Sequence, residues 1–132
     1  MSFADKLRNT AQKSVVVNGK TITGEEAVKN VESAKLAAED FRKYAEEQAS
    51  FGKTKCKMFI GNGGIIFGSS GARMGGGDSR RTFSFASACS VSGYIRDLLQ
   101  NDGYSSLSVH PKSIHDSYME TSYWYIRIVA SW

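Results

Sequence analysis

Apolar residues recur along this chain with two different periods, and the change comes near residue 52. Phe3, Leu7 and Ala11 are spaced by four and share one face of a short helix over 3–13, with Ser2 placed to cap it. Val15-Val16-Val17 and Lys20-Thr21-Ile22 flank Asn18-Gly19. Asn-Gly between β-branched residues predicts a hairpin within 15–23, because both central positions of a type I′ turn need positive φ. Ala27, Val31, Ala34, Ala38, Phe41 and Ala45 then follow at spacings of 4-3-4-3-4. This is one stripe of a helix of about seven turns. Thr23-Gly24-Glu25-Glu26 predicts a capping box at its start, and Gly52 a C′ residue at its end. The alanines of the stripe admit a close partner surface. That surface is a sheet of the same chain, or else the equivalent helix of a second copy in a homodimer.

Beyond residue 52 the period becomes two. In 54–60, Cys56, Met58 and Ile60 face one way, and Lys55, Lys57 and Phe59 the other. Asn62-Gly63 turns the chain into Gly64-Ile65-Ile66-Phe67, which predicts a hairpin over 58–67. Residues 69–79 show no periodicity and read as exposed loop. Phe83 and Phe85 read as one face of a short strand. Ala88, Val91, Ile95, Leu98 and Leu99 return to helical spacing, closed by Asn101-Asp102-Gly103. A strand over 104–110 points Leu107 and Val109 inward, and 111–120 reads as a polar loop. In the last strand Trp124, Ile126, Ile128, Ala130 and Trp132 alternate with Tyr123, Tyr125, Arg127 and Val129. The second set is more apolar than a solvated face needs, which predicts some cover over it. The expected fold is a single α+β domain over 1–132, mainly helical to residue 52 and then a sheet with one helix. An antiparallel sheet of four or five strands carries the long helix and the second helix on one face.

Composition agrees with that picture and narrows the function. The 132 residues are 41% apolar and 23% charged, an ordinary globular balance, and no apolar run approaches the roughly 20 residues a bilayer demands. The charged, amphipathic opening lacks a signal-peptide core, so the expectation is a soluble cytoplasmic protein. Cys56 and Cys89 lie 33 residues apart without a CxxC spacing and read as free core thiols. The net charge of +4 is uneven: 1–57 carries +3, 58–82 carries +2 and the remainder −1. This permits an anionic partner.

The stretch 61–81 holds eight of the thirteen glycines and three arginines, and invites a phosphate-loop reading. It fails each named motif by position. Gly52-Lys53-Thr54 ends like a Walker A motif, but Glu47 stands where its first glycine belongs, and a strand follows instead of a helix. Gly61-Asn62-Gly63-Gly64-Ile65-Ile66 places Ile66 at the last glycine of a dinucleotide fingerprint. Gly68-Ser69-Ser70-Gly71-Ala72 lacks the final glycine of a nucleophile elbow. His110 and His115 have no assigned acidic partner, and together with the two cysteines they match no zinc spacing. Asp97, Asp102, Asp116 and Glu120 sit where capping and solubility explain them. The expectation is therefore no enzyme, no cofactor and no metal.

The basic residues are the better candidates. Lys53, Lys55 and Lys57 project from the start of one strand, and Arg73, Arg80 and Arg81 lie in the glycine-rich loop, with Phe59 and Phe67 near. These are the residues expected to contact a partner or nucleic acid, through charge and stacking. A plainer role for Lys55 and Lys57 is to blunt an edge strand. Ala49-Ser50-Phe51-Gly52-Lys53 before a strand, Ile95-x-x-Leu98-Leu99-x-x-x-Gly103-Tyr104, and a terminal Ser131-Trp132 together resemble small uncharacterised bacteriophage and prophage proteins. The resemblance covers about residues 38–60 and 91–132. It implies an inhibitor that docks stoichiometrically on a host protein, such as a nucleic-acid-handling defence enzyme of the CRISPR effector kind. Direct nucleic-acid binding, and capture of a small phosphorylated nucleotide, are the alternative expectations.

Overall fold

The computed structural model describes residues 2–69, 72–74, 82–118 and 121–132. In chain order they form α1 (Phe3–Gln12), β1 (Ser14–Val17), β2 (Lys20–Thr23), α2 (Glu25–Ser50), β3 (Lys55–Gly61), β4 (Gly64–Ser69) and β5 (Ala72–Met74). There follow α3 (Phe85–Leu99), a 3₁₀ turn (Gln100–Asp102), β6 (Ser106–Asp116) and β7 (Thr121–Ser131). β1 and β2 pair as a ribbon, and the other five strands form one antiparallel sheet in the order β5-β4-β3-β7-β6. α2 and α3 pack against each other and against one face of that sheet. This is the expected two-layer α+β arrangement, with five strands.

The ribbon turns as the sequence predicts. Asn18 and Gly19 both take positive φ, at 48° and 80°. The Asn18 side chain donates to the Asp97 carbonyl at 2.7 Å, docking the turn onto α3. Ser2 caps α1, accepting from the Asp5 amide at 3.1 Å. The apolar face of α1 is not buried, however: Phe3 is 73% exposed and Leu7 53%.

The capping box at α2 does not form. Thr23 is spent on the ribbon, paired with Ser14, and Gly24 at φ 105° stands before the helix instead. Its amide donates to the Lys13 carbonyl at 2.7 Å. Glu25 and Glu26 still favour the helix start by charge. At the other end the chain closes α2 as the sequence suggests. Gly52 takes φ 80°, its amide donates to Ala49, and the Lys53 amide donates to Gln48, which is the Schellman pattern.

The buried stripe of α2 is wider than the 4-3-4 spacing indicates. Asn30, Ser33, Ala37 and Tyr44 join Val31, Ala34, Ala38, Phe41 and Ala45. All of that set except Asn30, Val31 and Ser33 belong to one core with Met58, Ile60, Ile65, Phe67, Ile95, Leu99, Ile126 and Ile128. The stripe is thus occupied by the chain's own sheet and by α3. Arg42 ties the far side of α2 to the end of α3, meeting the Asp102 carboxylate at 2.8 and 3.2 Å and the Leu98 carbonyl at 3.1 Å.

Three local expectations are corrected. Phe83 and Phe85 are not a strand: Ser84 accepts from the Ser87 amide at 3.1 Å and starts α3 at Phe85. Phe83 is then the residue before the cap, and Ala88 the fourth of the helix. Both are buried in the core, at the positions of a hydrophobic staple. The exposed loop expected over 69–79 contains β5, paired with β4 through Phe67–Met74, Gly68–Arg73 and Ser69–Ala72; residues 70, 71 and 75–79 lie outside the described residues. The polar loop expected from Pro111 is strand as far as Asp116. β6 lies at the edge of the sheet, where a proline's missing amide removes no ladder bond.

Candidate nucleic-acid interface

A strand's side chains alternate between faces, so the register alone sorts the sheet. Cys56, Met58 and Ile60 of β3 and Ile126, Ile128 and Ala130 of β7 point under the helices and are buried. The opposite face has no helix packed on it among the described residues. Its rows run across the strands. Lys55, Ser131 and Ser106 form the first. Arg73, Gly68, Lys57, Val129 and Ser108 form the second. Ile66, Phe59, Arg127 and His110 form the third, and Gly64, Gly61, Tyr125 and Lys112 the fourth, with Tyr123 beyond. Neighbouring strands are about 4.8 Å apart and neighbouring rows about 7 Å.

The face is open and aromatic. Phe59 and Tyr125 meet edge to face with centroids 5.9 Å apart, both half-buried, and Tyr123 is 53% exposed. A Cβ built on Gly61 would meet no atom within 4 Å. The face is also cationic. Lys55, Lys57, Arg127 and Lys112 make no ion pair among the described residues. The Nε of Arg127 is buried without a hydrogen-bond partner. The single acidic register position is Asp116, at the far end of β6. His110 shares the face with Ser108, 2.9 Å from its hydroxyl.

Four of the six predicted contact residues come together. Lys57 and Arg73 occupy one row across β4, and Lys55 lies one row away. Lys53 precedes the strand. It lines, with Lys55, Lys57, Thr54 and Gln48, a cavity of about 390 Å³ where α2 hands over to β3. Arg80 and Arg81 lie outside the described residues. Phe59 is on the open face, but Phe67 is not: it is buried, stacked on Tyr44 at 5.5 Å. The plainer role is corrected for Lys57, which β4 and β7 flank on both sides; Lys55 pairs with β7 and lies beyond the described pairing with β4. The sequence reading missed Tyr123, Tyr125, Arg127, His110 and Lys112 as site residues. Their alternation along β7 was visible; their place beside Lys57 and Phe59 depends on β3 pairing with β7, which no local signal encodes.

The thiols separate. Cys89 is exposed on α3, contrary to the expectation of a core thiol, whereas Cys56 is buried in the sheet. Burial pushes the Cys56 thiol from 9.0 up to about 12, and burial followed by the Asp102 carboxylate pushes the Tyr104 phenol from 10.0 up to about 12. Each keeps in the folded chain a proton that the unfolded chain releases first. Their contribution to stability is complete below about pH 9 and is lost as the pH rises from 9 to 12. Urea midpoints are expected to fall over that interval. A thiol reagent at pH 8 is expected to modify Cys89 in the folded chain and Cys56 only after unfolding. Equal rates at the two cysteines would contradict the burial of β3.

No family model, curated sequence or solved structure matches this chain.

Proposed function

We propose that this chain is a non-enzymatic binding protein whose working surface is the open sheet face, and that the face takes single-stranded nucleic acid. The observation that carries the reading is the run of Lys55, Lys57, Phe59, Arg127, Tyr125 and Lys112 on neighbouring strands without an intervening carboxylate. Unpaired bases stack on rings, phosphates are met by lysine and arginine, and the pairing tolerates any sequence. The open space over Gly61 lowers the relief of the face beside Phe59 and Tyr125, so a backbone can lie close to it there.

Binding to a random single strand is expected to weaken about 50-fold between 50 and 200 mM salt, the loss for about four neutralised phosphates at a single-strand slope of about −0.7 each. Fluorescence anisotropy with a labelled oligonucleotide measures it. No binding at 50 mM salt would sink the reading.

Ile66 and Val129 favour a second reading, since a strand of nucleic acid has no use for aliphatic side chains among its contacts. An acidic protein surface with an apolar centre would use both, as the stoichiometric inhibitor of a host protein implied by the phage resemblance. A partner recovered at one-to-one stoichiometry from a bacterial lysate treated with nuclease supports this reading; recovery only in the presence of nucleic acid returns to the first.

A further inference from the structure

The cavity beside β3 differs from the open face in shape and in charge density, and its lining asks for a different ligand. Lys53, Lys55 and Lys57 all border it, with the side chains of Thr54 and Gln48 available among its polar groups and no carboxylate in the lining. None of the three lysines makes an ion pair among the described residues. Three cations around about 390 Å³ are more than the single charge of a phosphodiester calls for. A phosphate monoester, with a second pKa near about 6, carries close to two negative charges at neutral pH and three acceptor oxygens.

The end of α2 bears on the same point. A helix C-terminus is negative and repels an anion. Here the carbonyls of Gln48 and Ala49 already accept from the Lys53 and Gly52 amides, so two of the groups that would oppose a phosphate are occupied. Lysines beside a helix end also complement its dipole, which alone would account for one of them. It does not account for three lysines bordering one cavity, two of them on a strand that leads away from the helix.

We propose that this cavity is a phosphomonoester site, which holds the terminal phosphate of a nucleic-acid strand lying on the open face or the phosphate of a free nucleotide. The inference rests on the nucleic-acid reading only in its first form, and two arms separate the sources. Backbone amide resonances of residues 53–57 are followed in the intact chain during titration with inorganic phosphate and with a nucleoside monophosphate, at matched ionic strength. In parallel, one oligonucleotide is compared as its 5′-phosphate, 3′-phosphate and unphosphorylated forms. Saturable shifts at 53–57 are expected, together with about tenfold tighter binding of one phosphorylated end. Lys53→Ala is expected to bring that ratio to about one, while Lys53→Arg retains it.

Monophosphate binding at 53–57 without binding of any oligonucleotide would assign the site to a free nucleotide and overturn the nucleic-acid reading. Oligonucleotide binding indifferent to a terminal phosphate, with resonances 53–57 unmoved by phosphate, would overturn the site and leave that reading standing. Silence in both arms would overturn both.

Discussion

Phe41→Ala is expected to cost about 3–5 kcal/mol, the largest stability loss of any single truncation in this chain. Phe41 is fully buried on α2, with its ring edge-on to Phe67 at 6.2 Å, and Phe67 is in turn stacked on Tyr44. These three rings join the long helix to β4, on the side of the sheet away from α3's contacts with β6 and β7. Three of the buried neighbours of Phe41 along the helix, Ala37, Ala38 and Ala45, bring the backbone close but cannot swing in to fill a vacated ring. The lost transfer energy and the cavity therefore add. Domains of this size are stable by about 5–15 kcal/mol, so the variant keeps a fraction of its stability. At a urea slope of about 2 kcal/mol/M, the midpoint falls by about 2 M with the slope unchanged. Phe41→Leu, which keeps most of the volume, should lose less than half as much. A loss below about 1 kcal/mol for the alanine variant would show that α2 is not pressed onto the sheet at this ring.

On the opposite side of the sheet, Phe59→Ala and Tyr125→Ala are each expected to weaken oligonucleotide binding by about 5- to 150-fold, the worth of one stacked base at 1–3 kcal/mol. Lys57→Ala should weaken it less, alike for all sequences, and reduce the salt slope by about one charge. The two aromatic losses should not add in the double variant, because the rings touch each other at 5.9 Å. Both rings are half-buried, so melting temperatures should move by only a few degrees, in contrast to Phe41. Anisotropy titrations at fixed salt check the set. Unchanged affinity in both aromatic variants would move the working surface away from this face, whatever Lys57→Ala does.

The parts of the fold that were legible in the sequence are those in which one local rule decides. The ribbon was fixed by the need of Asn18 and Gly19 for positive φ, the end of α2 by Gly52, and β3 and β7 by strict alternation. The failures occurred where two local rules competed and tertiary structure chose. Thr23 serves a ladder or a cap, and the ribbon took it. Phe83 and Phe85 alternate like a strand, but Ser84 caps a helix between them, a signal available in Ser84 itself. Pro111 ends most strands, yet at a sheet edge it is tolerated.

The candidate site was half legible for a related reason. Lys55, Lys57 and Phe59 share a strand, so alternation groups them. Arg127 and Tyr125 join them through a pairing that spans about seventy residues of chain, and the order β4-β3-β7 has no local signature. Lys57 also looked like an edge residue because strand order decides what an edge is.

Pro111 has one more consequence. Among the described residues β6 offers an unpaired flank eleven residues long, the longest such margin of the sheet, and such a margin templates the addition of strands from other molecules. The pairing with β7 continues on both sides of Pro111, so its missing donor falls on the outer flank. An incoming strand would find five residues, then a gap in the row of amides, then five more, neither half long enough to hold it well. The proline that disguised this strand in the sequence is also what breaks the margin into two short halves.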